Sequence, residues 1–462
     1  MNIPALCPLD GRYSGRLGAL RSVMSEAAFT AYRVRVECAW FEILSELKLF
    51  KPLTKEERGL LAQACELSAA DLDHIRALEF DGYLHIPPTR HDVKAVEYFL
   101  RLRLGKTSLK DRLQWLHFAL TSEDVNSAAY ALLLTQGVEK ALLPALENLQ
   151  KELSKLARKE ARSVLLARTH GQPAVPTTFG KEMRVFANRL ARQIAQLKRQ
   201  EITFKFGGAV GNFNAHYAAF PQVRWPRAAA KMAAVLNRGH KMKISLTPVS
   251  TQVDPRDSYA ELFDNLRRAD VALLDLCRDM WQYISAGLVH QKTAAGEVGS
   301  STMPQKVNPI DFENAEGNLQ LADALFGLFS CKLPVSRLQR DLSDSTVLRN
   351  MAVAFGYALV AYQSVLKGLG KISFDRAAAR QELCAHPEVL AEAVQTLLRA
   401  AGYPHAYETL RDFTRGRAVT ASLLQQFIAG LPVDAATRSK LQALCPENYL
   451  GRARELAEEK YD

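Results

Sequence analysis

The stretch VALLDLCRDMWQYISAGLV, residues 271–289, is apolar on more than one face when it is drawn as a helix. It belongs to a longer apolar stripe whose members recur at intervals of three, four or seven residues: Leu262, Leu266, Leu273, Leu276, Met280 and Ile284. That period is the one of an amphipathic α-helix. A helix that is apolar on two faces has to be buried on both, so the stretch favours a helical core shared between subunits.

Apolar stripes with the same period recur along the chain before and after this helix. The two that precede it are Leu142, Leu146, Leu149, Leu153 and Leu156, and then Met183, Phe186, Leu190, Ile194 and Leu197. Residues 315–332 and 348–368 supply two more apolar helical stretches, whereas strand-like alternation is confined to short pieces, such as 202–206 and 242–248. The pattern predicts an extended bundle of long helices that cross at shallow angles.

Shorter helical segments and turns lie on either side of the predicted bundle. The last part of the chain has breaks at HPE (386–388), GYP (402–404) and LCPEN (444–448), where Pro and Gly interrupt helices. No internal repeat and no glycine-rich phosphate loop after a strand is found. The sequence therefore predicts an all-α chain of three helical domains, with boundaries at 1–111, 112–368 and 369–462.

The composition is that of a folded globular protein with a basic surface. Of its 462 residues, 48% are hydrophobic and 24% are charged, and the net charge is +11. Such a balance suits nucleic acid, a membrane surface or a polyanionic small substrate. The basic residues form only short clusters, such as RLRLGK (101–106), and zinc-finger or RNA-binding signatures are absent, so nucleic acid is not the expected partner.

The cysteines and the chain start indicate a cytoplasmic protein. The seven cysteines are scattered and form no C-x-x-C pair, as is typical of reduced core cysteines. The first residues, MNIPALCPLDGRY, lack the basic and apolar regions of a secretory signal. No apolar run approaches the ~20 residues that cross a bilayer. We therefore expect no membrane partner.

Neither a metal nor a cofactor is expected from the sequence. The ten histidines are dispersed, without an H-x-x-x-H pair, and no cysteines are spaced as metal ligands. The G-x-S-x-G turn of serine hydrolases is also absent. The chemistry must therefore come from ordinary polar side chains.

Four polar segments interrupt the helical pattern, and each holds groups that can move protons or bind anions. They are TRHDVKAVEYFL (89–100), HFALTSEDVN (117–126), LLARTHGQPAVPTTFG (165–180) and GSSTMPQKVNPIDFEN (299–314). The first two also fit plain helix caps, because Asp, Thr and Ser are common at helix starts. A helix start with free N–H groups equally suits a bound carboxylate. Both interpretations stay open for these segments.

The third and fourth segments fit loops held by rigid helices. His170 lies in a break bounded by Gly and Pro between two long helices, where a structural and a functional histidine are equally compatible with the sequence. The fourth segment and the HQKTAAGEV stretch before it are rich in small residues, which indicates a mobile loop.

The fourth segment resembles the signature loop of the fumarase/aspartase superfamily. The shared motif is GSS-x-MP-x-K-x-NP, which spans residues 299–309. This resemblance implies a three-domain, all-α chain that forms a homotetramer around a shared helical core, in agreement with the helical stripes.

Other segments resemble the adenylosuccinate lyase branch of that superfamily, of the bacterial type. They include RHDVKAVEYF, TSEDVN, ARTHGQPA, GAVGNFNAH and LPVSRLQRDLSDSTVLRN, and the similarity extends from DGRY (10–13) to NYLGRA (448–453). One position departs from the pattern, since Gln305 stands where this branch has His, and MPQK is typical of argininosuccinate lyases.

The resemblance implies a β-elimination that releases fumarate from a succinylated nucleotide, either adenylosuccinate or succinyl-aminoimidazole carboxamide ribotide. It assigns Ser300 as the general base, with Ser301 as the rival, and His170 as the general acid. Glu313 matches a carboxylate that orients that histidine, and His91 matches a second histidine near the substrate phosphate. The matched substrate-binding residues are Arg12, Tyr13, Arg90, Asp92, Thr121, Ser122, Gln252, Lys306, Asn308, Arg340, Ser345 and Arg349.

Three alternatives stand beside this interpretation. The nearest is a sister enzyme, chiefly an argininosuccinate lyase, which Gln305 would suit. A non-catalytic binding protein on the same fold predicts loss of the catalytic positions, whereas Ser300, His170 and Lys306 are all present. A nucleic-acid binder predicts salt-dependent association with generic DNA or RNA. Because the matched residues lie far apart in sequence, we expect each site to be shared between subunits.

Overall fold

The computed structural model describes residues 5–292, 303, 306–416 and 418–459. Ser300, Ser301 and Gln305 lie outside these ranges. Helix accounts for 64% of the structure, so the prediction of an all-α fold is confirmed. The helices are α1 (Gly18–Met24), α2 (Glu26–Glu46), α3 (Lys55–Ala64), α4 (Ala69–Phe80), α5 (Asp92–Leu104), α6 (Ser122–Gly137), α7 (Leu143–Lys159), α8 (Phe179–Arg199), α9 (Asn214–Ala219), α10 (Trp225–Leu236), α11 (Asp257–Ser285), α12 (Ile310–Lys332), α13 (Ser343–Leu348), α14 (Met351–Lys371), α15 (Arg376–Cys384), α16 (Ala391–Ala400), α17 (Ala406–Thr414), α18 (Ala421–Gly430), α19 (Ala435–Gln442) and α20 (Ala453–Glu458).

The five predicted long helices are present as α7, α8, α11, α12 and α14. Their apolar stripes are almost entirely buried, as the period of three to four residues requires. A second apolar set on the same helices is exposed: Val185, Val271, Trp281, Leu321 and Leu328. Helices of the core therefore carry apolar side chains on two faces, one buried within the chain and one open to solvent.

The described residues divide into two compact units, each made of three separate segments. The first unit comprises Met1–Leu146, Gln193–Val271 and Gly317–Ala361, and the second comprises Glu147–Arg192, Ala272–Glu316 and Tyr362–Asp462. The three-domain division at 1–111, 112–368 and 369–462 stays a prediction.

In the first unit, helices α2 to α5 pack around an apolar cluster. Its largest buried members include Phe41 and Phe99, with Leu78, Leu100 and Leu104 around them. The short strands β3 (Glu201–Phe204) and β4 (Lys243–Leu246) pair in parallel, which confirms strand structure where the sequence alternates.

In the second unit, helices α15 to α19 pack around another apolar cluster, which includes Leu383, Val394, Leu398 and Leu410. Two strand pairs accompany them. Strands β1 (Val164–Thr169) and β2 (Gln172–Thr178) form an antiparallel hairpin, and β5 (Val289–Gln291) pairs with β6 (Ile372–Phe374). The hairpin replaces the irregular polar break that the sequence predicts here, because a two-residue turn lets the flanking residues pair directly.

One stretch, Ser343–Lys371, has the length and apolarity of a membrane span within the described part of the chain, with a mean hydropathy of 1.2. This corrects the expectation that no such stretch exists. Within this stretch, 61% of the most apolar 18-residue window is buried inside the protein, as in the core helix of a folded domain. The stretch is therefore weak evidence for a membrane.

Candidate active site

Helix α5 begins at a histidine that contacts a second helix start. The Nδ1 atom of His91 accepts a hydrogen bond from the N–H of Lys94 at 3.4 Å, which caps the helix. The other ring nitrogen, Nε2, lies 3.2 Å from the hydroxyl oxygen of Ser122, the first residue of α6. Two predicted site residues from separate segments are therefore in direct contact.

Asp92 follows His91 and pairs with a buried arginine. The guanidinium of Arg33 donates to its carboxylate at 2.5 Å, and the N–H of Val93 donates at 2.8 Å. Burial acts to raise the pKa of Asp92, but the charge of Arg33, that backbone N–H and the charges of His91 and Arg349 together hold this pKa below its ordinary value. Asp92 is thus an anion held in place next to His91. Arg349, another predicted site residue, lies close enough for its charge to act on Asp92.

The acidic residues at the start of α6, Glu123 and Asp124, are buried. For Asp124, the interpretation as a helix cap is correct. Asp124 accepts from the backbone N–H of Thr121 at 2.8 Å, as in a capping box. The same carboxylate accepts from the ammonium of Lys205 at 2.6 Å and from the N–H groups of Gly207 and Gly208 at 2.9 and 3.1 Å. Both charged side chains are completely buried. This pair joins the start of α6 to the glycine-rich segment after β3.

His216, at the far end of that segment, is also completely buried. Its ring meets Trp40 and Trp225 edge-on, with centroids 6.0 and 4.8 Å away. Among the residues that the structure describes, neither ring nitrogen has a hydrogen-bond partner. Burial, against the charge of Asp124 and together with that of Lys205, lowers the pKa of His216 to about 4. The ring is therefore neutral at pH 7.

Glu123 links α6 to the segment that contains a predicted anion-binding arginine. Its carboxylate contacts Arg256 at 2.9 Å and Arg340 at 3.3 Å, and Arg256 also contacts Asp344 at 2.6 Å. Glu123, Arg256 and Asp344 are each 3% exposed or less. Burial raises the pKa of Glu123, against the two guanidinium charges, whereas Glu123 and Asp344 raise the pKa of Arg256 against burial.

Gln252 joins the same group of residues. Its amide oxygen accepts from Arg340 at 3.1 Å, and its amide nitrogen donates to the carbonyl of Ala209 at 3.0 Å. Two more predicted site residues are thus in direct contact. These residues are linked in order. Ser122 precedes Glu123 in the chain, Glu123 contacts Arg340, and Arg340 contacts Gln252.

The remaining predicted residues of the first unit lie at helix ends and turns. Arg90 has a positive φ of 49° just before α5, and Arg349 follows α13 directly. Ser345 donates to the carbonyl of Leu342 at 2.9 Å. Tyr13 precedes a short 3-10 helix and lies beneath the guanidinium of Arg16, and Arg12 beside it is exposed.

In the second unit, His170 forms the tip of the β1–β2 hairpin. His170 and Gly171 have φ values of 52° and 75°, the two positive values of a type I′ turn, which fits the right-handed twist of paired strands. Histidine tolerates this backbone conformation better than branched residues do. The side chain is exposed, and no hydrogen bond to it is found within the described ranges. The hairpin therefore presents the imidazole to solvent.

Glu313, Lys306 and Asn308 lie at the start of α12 and just before it. The carboxylate of Glu313 accepts from the indole N–H of Trp281 at 3.2 Å, and no bond between Glu313 and His170 is found among the described residues of one chain. Lys306 is exposed, with its backbone N–H bonded to the carbonyl of Met303 at 3.1 Å. The orientation of His170 by Glu313 stays a prediction.

The sequence analysis missed the buried charges that support this arrangement: Glu123, Asp124, Lys205, Arg256 and Asp344. One signal was visible. Lys205 stands alone between aromatic residues in FKFGG, where an ammonium needs a buried anion. The acidic pair in TSED has no such signal, because acidic residues are ordinary at a helix start.

Comparisons with known proteins agree along the whole chain. A family model described as Lyase matches residues 11–322, and one described as Adenylosuccinate lyase C-terminal matches residues 336–450. The adenylosuccinate lyase of Legionella pneumophila (strain Corby) is 44% identical over 457 residues, covering 98% of this chain and 97% of that protein. That of Escherichia coli (strain K12) is 43% identical, with 99% of each chain covered, and that of Dictyostelium discoideum is 42% identical, with 97% of each covered.

Solved structures extend the likeness in fold. A fumarate lyase from Mesorhizobium sp. BNC1 superposes with a TM-score of 0.72 at 20% identity, covering 95% of this chain and 96% of that one. The 3-carboxy-cis,cis-muconate lactonizing enzyme from Pseudomonas putida gives a TM-score of 0.71 at 21% identity, with 95% of each chain covered. The predicted fumarase/aspartase-like fold is confirmed. With two family models and full-length relatives in agreement, the chain belongs to the adenylosuccinate lyase family.

Proposed function

We propose that this protein is a carbon–nitrogen lyase that splits adenylosuccinate into AMP and fumarate, and succinyl-aminoimidazole carboxamide ribotide into its carboxamide product and fumarate. The observation that carries the proposal is the 43–44% identity to adenylosuccinate lyases along nearly the full length of both chains. The contacts among His91, Ser122, Arg340 and Gln252 support it, because four residues that the resemblance assigns to the substrate occur in two contacting pairs.

The reaction makes three chemical demands. A base removes a proton from the carbon next to a carboxylate, the resulting dianionic intermediate needs stabilisation, and an acid protonates the nitrogen as the carbon–nitrogen bond breaks. The electron pair of the broken C–H bond becomes the new double bond of fumarate. The proton that reaches nitrogen completes the balance.

Ser300 supplies the base in this proposal, and His170 supplies the acid. A serine hydroxyl is a weak base, so cationic and N–H groups near it, Lys306 among them, have to stabilise its ionised form. The exposed position of His170 at a hairpin tip supports its role, because the ring can meet a substrate without breaking an internal hydrogen bond. Glu313 orients His170, and His91 assists near the phosphate.

The substrate carries a phosphate and two carboxylates, which gives the net charge of +11 a use. We assign the phosphate and carboxylate contacts to arginines, since a guanidinium binds oxyanions with two parallel hydrogen bonds. The assigned residues are Arg12, Tyr13, Arg90, Arg340, Ser345 and Arg349. Asp92, Thr121, Ser122, Gln252, Lys306 and Asn308 complete the proposed binding site.

We further propose a homotetramer in the cytoplasm, with each active site shared between subunits. The exposed apolar side chains on the long core helices, such as Trp281 and Leu321, support association. All seven cysteines are free thiols, which agrees with a reducing compartment.

The deciding experiment is a turnover assay with the purified protein. Adenylosuccinate and argininosuccinate are offered in parallel, and fumarate release is followed by ultraviolet absorbance. We expect turnover of adenylosuccinate and none of argininosuccinate. Turnover of argininosuccinate alone would replace the proposed substrate with that of the sister enzyme, and binding of generic RNA without turnover would support a nucleic-acid protein instead.

A further inference from the structure

Three buried charged residues lie behind the proposed binding site and take no part in the chemistry assigned above. Glu123, Arg256 and Asp344 are linked by ion pairs of 2.9 and 2.6 Å and are almost fully removed from solvent. Burying such charges costs free energy that their mutual attraction only partly returns. A contribution to the stability of the fold is therefore a weak explanation for the presence of this network.

The network ends at Arg340, which is one-fifth exposed. One terminal nitrogen of its guanidinium lies 3.3 Å from a carboxylate oxygen of Glu123 in an ion pair, and the other donates a hydrogen bond to Gln252 at 3.1 Å. Contacts at both terminal nitrogens fix the position of the planar group. A guanidinium has five N–H groups, so each terminal nitrogen keeps one more for an oxyanion.

The charge balance depends on Arg256. Without it, Glu123 and Asp344 would place two negative charges around Arg340 and cancel its attraction for an anion. Arg256 lies between the two carboxylates, contacting Asp344 at 2.6 Å and Glu123 at 2.9 Å, so the carboxylates do not outnumber the guanidinium groups around Arg340.

We propose that Glu123 is a positioning residue that fixes the guanidinium of Arg340 for an oxyanion of the substrate, and that Arg256 is the counter-ion that holds Glu123 in place. This inference rests on the proposed function, since it gives Arg340 a succinylated nucleotide to bind. It assigns to both buried residues a role in substrate affinity.

The test begins with Glu123→Gln, which keeps the shape of the side chain and removes its charge. We expect the KM for adenylosuccinate to rise about tenfold or more while kcat changes by less than about twofold, because the lost interaction serves binding of substrate and transition state alike. The matched control is Glu57→Gln. Glu57 is also buried, lies in the same unit and pairs with an arginine, Arg112, but touches no proposed site residue, so its KM should stay at the wild-type value.

A double-mutant comparison separates positioning from a general structural effect. If Glu123 acts through Arg340, the variant carrying both Glu123→Gln and Arg340→Met should have the same KM as Arg340→Met alone. Effects that multiply instead would overturn the inference, because Glu123 would then matter without Arg340.

Two further measurements keep the outcome unambiguous. Wild-type turnover of adenylosuccinate is measured first: if it is absent, the proposed function fails, whereas a normal wild type with an unaffected Glu123→Gln variant refutes only the positioning role. Should Glu123→Gln not fold, Arg256→Lys gives the same test, because lysine keeps the charge and loses the two-sided contact. An unchanged KM in folded Arg256→Lys would contradict the role of Arg256.

Discussion

The proposed binding residues of the first unit and the proposed acid of the second unit are supported in opposite ways. In the first unit, His91 contacts Ser122, Arg340 contacts Gln252, and buried carboxylates stand directly behind them. In the second unit, His170 stands exposed at a hairpin tip without a described hydrogen bond. The comparison teaches that the proposed binding groups are pre-organised by contacts within the first unit, whereas the proposed proton-transfer group is placed by its backbone turn and has an exposed side chain.

The largest expected effect comes from removing the proton-transfer groups. His170→Asn and Ser300→Ala should each lower kcat by ~10²–10⁴, the usual contribution of general acid–base catalysis. Asn suits the positive φ of position 170, so the turn should persist. Fumarate release at saturating adenylosuccinate measures the effect.

Two matched variants serve as controls for these losses. His405→Asn changes another exposed histidine with a positive φ, of 55°, and should retain full activity. Ser301→Ala should also retain activity. Loss on Ser301→Ala with none on Ser300→Ala would transfer the role of base to the neighbouring serine.

The next prediction tests whether the outward-facing group completes a site on another chain. Samples of His170→Asn and of Arg340→Met, each weakly active alone, should regain activity when their subunits are exchanged, because some mixed sites then combine an intact His170 with an intact Arg340. Activity is measured before and after mixing, with exchange verified by native mass spectrometry. Verified exchange without recovery would mean that each site uses one chain only.

The third prediction concerns the buried ion pair between Asp124 and Lys205, which joins the start of α6 to the segment after β3. Asp124→Asn should lower the free energy of unfolding by ~3–5 kcal/mol, since it leaves the completely buried ammonium of Lys205 without an anion. Urea unfolding at fixed protein concentration measures this loss. The control is Glu46→Gln, whose 2.9 Å pair with Lys231 is solvent-exposed and should contribute ~0–1 kcal/mol. Equal losses would contradict the supporting role of the buried pair.

The smallest expected effect concerns the buried His216. Its pKa of about 4 lies below the ordinary value near 6.5, so the unfolded chain binds more protons than the folded one between these values. Stability therefore rises with pH through this window and is lost as the pH falls, by about 2 kcal/mol between pH 7 and pH 5. Replacing His216 with Phe keeps an aromatic ring among Trp40 and Trp225 and should remove this part of the pH dependence. An unchanged slope would show that other groups carry it.

Elements with strong local signals could be predicted from the sequence. The stripes of buried leucines marked the long helices, and TSED marked the start of α6, because period and capping depend on neighbouring residues. The hairpin around His170 was missed because Pro173 and Pro176 lack the N–H groups of a regular strand. The register shift between Leu166 and Arg168 shows how the pairing accommodates them.

The buried charges could not be predicted for a different reason. Asp124 and its partner Lys205 are 81 residues apart, and Arg256 lies 133 residues from Glu123. No local sequence pattern predicts such pairs, since each residue taken alone fits a capping or surface position. The proposed roles of Ser300, His170 and Glu313 depend on resemblance for the same reason, because no local pattern shows which distant residues they contact.

The discontinuous make-up of the first unit has a consequence for synthesis on the ribosome. Its last segment ends at Ala361, so a growing chain cannot complete this unit until most of the protein has been made. Arg256 is synthesised 133 residues after Glu123, and Asp344 is synthesised 88 residues after Arg256. At about 5–20 residues per second, this interval is on the order of ten to forty seconds. Until Arg256 emerges, Glu123 lacks the guanidinium partner that it has in the folded unit, so its carboxylate remains hydrated.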